Sequence, residues 1–140
     1  MKRVIVLTLL SAAACRPPHH GRTRAVTVTT VPLLTKEMAS VYPFLKSDFA
    51  AQGVLAGKEV YAFSPSTLTA YAGDTLEITF INPEDDAHTF VLPDLAVALP
   101  GQSTKTVRYL VGAPGIYPFQ CNIASHAPMM NGQLVVLDSR

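Results

Sequence analysis

The sequence predicts an all-β chain, folded as a Greek-key antiparallel β-sandwich, with a short N-terminal extension that has room for one helix. Three observations carry this. From Lys58 onward, runs of about four to eight residues alternate apolar with polar side chains, which is the period of a half-buried strand. Turn residues punctuate those runs at Ser64-Pro65, Ala72-Gly73-Asp74, Asn82-Pro83, Pro100-Gly101 and Pro114-Gly115, and many short strands at that spacing pack as a sandwich. The length, 140 residues, suffices for one domain and is too short for two ordinary ones.

In chain order, Lys2 and Arg3 lead into an apolar run from Val4 to Leu10 and then Ser11-Ala12-Ala13-Ala14-Cys15. A charged start, an apolar stretch and small residues before a cut read as a signal peptide over 1–14, so export is expected. The apolar run is about half the ~20 residues that cross a bilayer, which argues against a retained transmembrane helix. Cys15 after three alanines resembles the lipobox of bacterial lipoproteins, whose cysteine is acylated. Ala12 stands where leucine is usual, and Ala12-Ala13-Ala14 also fits ordinary cleavage, so a soluble secreted form stays open beside a lipid-anchored one. Residues 15–24 hold RPPHHGRTR, a tether without apolar periodicity, in which His19 and His20 lack a third ligand nearby.

Residues 25–57 form the N-terminal extension of the domain. Ala25 to Val31 alternates valine with threonine or alanine and is expected to be a strand. Thr35 is expected to cap a short helical stretch from Lys36 to Ala51, broken or delayed by Pro43. Met38, Tyr42, Phe44, Leu45 and Phe49 are expected to cover an edge of the core rather than line a site.

Residues 58–140 are the main domain. Val60 to Phe63, Thr67 to Tyr71 and Thr75 to Ile81 read as strands, with Leu76, Ile78 and Phe80 on one face. Asn82 to Asp86 is a polar loop that delivers His88, whose side of the strand continues inward through Phe90 and Leu92. Ser103 to Val111 and Ile116 to Cys121 follow, with Tyr117, Phe119 and Cys121 on one face and a distortion expected at Pro118. Gln133 to Leu137 closes the sheet, leaving Asn122 to Gly132 as one loop.

Charge excludes one class of partner. Removing Lys2 and Arg3 with the leader leaves 9 of 11 basic residues against 10 acidic ones, a net charge of minus one, so no basic stripe points to nucleic acid. An acylated Cys15 would leave Cys121 as an unpaired thiol in an oxidising compartment, where metal ligation is a good reason for it; a Cys15 to Cys121 disulfide is the structural alternative.

Cys121, His126 and Met130 lie within one ten-residue stretch, CNIASHAPMM, and His88 lies upstream in HTF. Two imidazoles, one thiolate and one thioether match the trigonal blue-copper arrangement with a weak axial methionine. Zinc shares the Cys and His ligands but gains little from methionine. A metal-free immunoglobulin-like sandwich would use all four only for packing. A binuclear copper domain would need a second cysteine where Ser125 stands. There is no G-x-S-x-G elbow and no H-E-x-x-H motif, so no enzyme is expected.

With those residues in view, the segment from about Lys58 to Leu137 resembles a cupredoxin, the small blue-copper domain. FSPSTLTAYAGDTLEITFIN, HTF and GIYPFQCNIASHAPMMNGQLVV carry the likeness. The resemblance implies one type 1 copper ion, with Cys121 as thiolate ligand, His88 and His126 as imidazole ligands and Met130 as weak axial ligand. The C-x4-H-x3-M spacing is similar to that of azurins; other cupredoxins space the methionine so that Met129 would be chosen. The expected function is electron transfer in an exported, monomeric protein, and a copper carrier or chaperone is the alternative. Redox partners are expected to dock on an apolar ring around the exposed edge of His126, near Ala127, Pro128 and Met129. Glu84, Asp85 and Asp86 are read as a solvated acidic turn.

Overall fold

The structure is a computed structural model that describes residues 21–138. The leader, Cys15, His19 and His20 lie outside the described residues. Among the described residues, one sheet orders its strands β2 (Val60–Ser64), β1 (Thr23–Leu34), β4 (Thr75–Asn82) and β7 (Ser103–Leu110). The other orders β3 (Thr67–Tyr71), β9 (Asn131–Leu137), β8 (Gly115–Gln120), β5 (His88–Leu92) and β6 (Leu95–Leu99). The expected β-sandwich is therefore present. Most neighbours are antiparallel, and two pairs, β1 with β4 and β3 with β9, run parallel.

Period-two alternation decides what fills the space between the sheets. Leu76, Ile78 and Phe80 of β4 face Phe90 and Leu92 of β5, Phe119 of β8, and Leu134 and Val136 of β9 across one continuous core. Its centre is aromatic: Phe90 packs on Phe63, Phe80 and Phe119 with ring centroids 5.5, 4.7 and 4.6 Å apart. Tilted contacts of this kind add about 0.5–1.5 kcal/mol per pair beyond the area they bury.

Several local expectations are corrected. β1 is longer than Ala25 to Val31 and lies between β2 and β4, so the extension contributes a central strand. The helical stretch is broken at Pro43, as expected, into α1 (Met38–Val41), a 3-10 turn (Pro43–Leu45) and α2 (Lys46–Phe49), since proline lacks an N–H and fixes φ. Thr35 does not cap with its side chain; its carbonyl accepts from the Met38 N–H at 3.0 Å. β6 was not anticipated, because LAVAL shows no polar alternation. β8 keeps its register against β9 through Pro118 and meets β5 at a single pair, Val91 with Gln120.

Asn82, expected in a polar loop, is buried at the end of β4. It accepts from Thr30 Oγ1 at 2.6 Å, and its Nδ2 donates to the carbonyls of Asp86, Pro100 and Leu99 at 2.8, 2.9 and 3.3 Å. This one amide thus ties β1, the β4–β5 loop and the end of β6 together, immediately before His88.

Candidate metal centre

His88 opens β5 and points inward, because its strand neighbours on that face are Phe90 and Leu92. Cys121 follows β8 directly, on the face of Phe119, and is a free, fully buried thiol. After it the chain turns on itself. The His126 and Ala127 N–H groups donate to the Ile123 carbonyl, and those of Met129 and Met130 donate to the His126 carbonyl. The Cys121 N–H then donates to the Met130 carbonyl at 2.9 Å, closing the loop.

That folding brings three of the expected residues together. His88 Nδ1 lies 3.2 Å from His126 Nδ1, and Cys121 Sγ lies 3.8 Å from His126 Nδ1. One donor atom from each of the three lies within 4.8 Å of the others. Met130 is buried in the same core cluster as Cys121, whereas Met129 is 38% exposed.

The donor set fits copper on the chemistry of the residues present. One thiol and two imidazoles converge with no carboxylate among them, which is the soft and borderline set that suits copper rather than a hard cation. His88 Nε2 is buried without a hydrogen-bond partner among the described residues. A buried polar atom left so is costly, and the ring accepts that cost while turning Nδ1 toward the other two donors. Burial, with the charge of His126 as second cause, lowers the pKa of His88 to about 4; Asp86 opposes it. Burial lowers that of His126 too, against Asp86 and Glu59. Both shifts favour the neutral imidazole, the form that ligates metal.

Sequence reasoning missed the residues around this set. The Thr89 N–H donates to Cys121 Sγ at 3.5 Å, and its hydroxyl oxygen lies 3.6 Å from the same sulfur. Thr89 Oγ1 also donates to Asn122 Oδ1 and accepts from the Asn122 N–H, at 2.7 and 2.9 Å, which fixes the start of the loop. Tyr61 packs its ring 4.6 Å from both imidazoles, and its hydroxyl donates to Asp86 Oδ2 at 2.6 Å. Asp86 is therefore half-buried beside the site rather than part of a solvated turn. The β2 alternation could have placed Tyr61 inward; nothing local marked Asp86 or Thr89.

His126 does not present its edge on an open surface. It is 3% exposed, and it lines a cavity of about 380 Å³ shared with Lys36, Phe49, Leu55, Lys58 and Ser125. Phe49, expected only to cover the core, thus helps wall this cavity, while Tyr42 and Phe44 are exposed. The reason is the extension: its helical stretch returns over the ligand loop, which no local pattern announces.

The model of the cupredoxin-like domain family matches residues 45–136, and this chain belongs to that family. Its cofactor is a single type 1 copper ion, as the family and the His88, Cys121 and His126 cluster together indicate. Among solved structures it is similar to auracyanin A, a blue copper protein from the green thermophilic photosynthetic bacterium Chloroflexus aurantiacus, at 18% identity and a TM-score of 0.53, covering 82% of this chain and 99% of that one. Auracyanin from the photosynthetic bacterium Roseiflexus castenholzii shares 22% identity at a TM-score of 0.50, over 54% of this chain and 87% of that one. A multicopper oxidase from Pseudomonas thermotolerans shares 16% at 0.55, over 86% of this chain but 31% of that one. At such identities these likenesses speak for the fold. No curated protein sequence matches the chain.

Proposed function

We propose that this protein carries single electrons in an extracytoplasmic compartment, using one type 1 copper ion that His88, Cys121 and His126 would hold, with Met130 as a weak fourth donor. The observation that carries the reading is the buried convergence of one free thiol and two imidazoles within 4.8 Å. When bound, copper supplies a one-electron couple between Cu(I) and Cu(II). The chain's own groups do the rest. The aromatic core and the closed loop hold the donors so that little needs to move. The Thr89 N–H donates to the sulfur, and both imidazoles are buried. With four protein groups taken up, no open position is left for a substrate, which favours a carrier over an enzyme.

Partners exchange electrons near His126, over the neighbouring surface that the partly exposed Ala127 and the exposed Met129 offer. Such encounters are weak and transient. A lipid on Cys15 would tether the domain; among the described residues no helix is long and apolar enough to cross a membrane. A copper carrier uses the same donors and is the second reading. Repeated oxidation and reduction in the presence of a competing copper chelator separates them: an electron carrier keeps its metal through the cycles, and a delivery protein surrenders it.

A further inference from the structure

We infer that Lys58 is a positioning residue for His126, fixing the ligand loop in the shape that receives copper. Within that loop, backbone N–H groups bond inward to the carbonyls of Ile123 and His126. The carbonyls of Ala124, Ser125 and Ala127, on either side of His126, are all satisfied from outside the loop. Lys58 Nζ donates to Ala124 O at 2.5 Å and to Ala127 O at 3.2 Å, and the neighbouring Glu59 N–H donates to Ser125 O at 3.0 Å.

One ammonium therefore bridges the residues before and after the ligand histidine. Hydrogen bonds from a charged donor are roughly twice as strong as neutral ones, and this pair spans the point where the loop reverses. Lys58 also ends the covering extension, where its own N–H donates to Leu55 O at 2.9 Å. Cover and ligand loop are thus joined at one side chain. The same fixed positive charge lies beside the metal centre, where it favours the less positive, reduced form of a bound ion.

The inference rests on His126 being a copper ligand, so the test has one arm that needs no metal. In the copper-free full chain, Lys58→Met retains the apolar stem and removes the donors. Amide exchange across 123–130 is expected to quicken about tenfold or more, while β4 amides stay unchanged and Lys58→Arg restores most of the protection. In the copper-loaded protein, Lys58→Met is expected to shift the reduction potential negative and to release copper faster. Loop exchange that stays at the wild-type rate overturns the inference. So does an equal quickening of the loop and β4, which signals general destabilisation, or a loosened loop with potential and copper release both unchanged. Because the exchange arm is metal-free, its outcome is independent of whether copper binds.

Discussion

Cys121 carries more of the account than any other residue, since its sulfur is the one thiol donor in the cluster and accepts from the Thr89 N–H. Replacing Met130 with leucine should shift the reduction potential, and the same change at the half-exposed Met129 should leave it alone; voltammetry of the two variants decides between them. His88 gives a pH dependence of the metal-free fold. Its folded pKa, about 4, lies below the unfolded value near 6.5, so the unfolded chain binds the proton more readily. Stability is therefore fully present above about pH 6.5 and declines as pH falls toward 4, which urea titrations of copper-free protein across that window would display. His88, Cys121 and His126 were legible in the sequence because donor chemistry is written in residue type. Tyr61 and Asp86 were not, because a tyrosine and an aspartate acquire a role here only through the fold that stacks one on the imidazoles and hydrogen-bonds it to the other.

At the scale of elements, the β4–β5 connection is held by Asn82, whose amide serves Thr30 and three carbonyls. Asn82→Ala leaves those buried partners unmatched and should cost about 3 kcal/mol, read as a lower urea midpoint. Strands whose inner and outer faces differ, such as β4 and β5, could be read residue by residue from alternation. β6 could not: alanine and leucine alternate in size but not polarity, so burial on one face leaves no mark. The helical cover was legible as a broken stretch at Pro43, yet its destination was hidden, since packing over His126 depends on contacts such as Lys58 with Ala124 that are remote in sequence. The apolar ring expected around an exposed His126 was drawn without that cover. Its rim remains testable: Met129→Glu should slow electron exchange in stopped-flow experiments while the copper stays bound.

For the whole molecule, strand directions place the two ends of the described chain away from the metal. β1 begins opposite Thr75 and β9 ends opposite Tyr71, both near Asp74, which binds the Arg22 N–H and the Arg24 side chain. His88 and the ligand loop lie at the other end, about 25 Å away along the eight residues of β4. An amino-terminal tether would hold the domain by its metal-distant pole and leave the centre facing outward. Cys15→Ser should then move the protein from the membrane to the soluble fraction with an unaltered copper spectrum. Beneath all of this stands one claim, that a buried thiol and two imidazoles hold a single copper ion. The direct measurement is a visible spectrum of the mature domain titrated with copper, beside Cys121→Ser. The account predicts an intense sulfur-to-copper band that saturates at one ion per chain and is lost in the variant. A colourless protein, or a band that survives without Cys121, would contradict it.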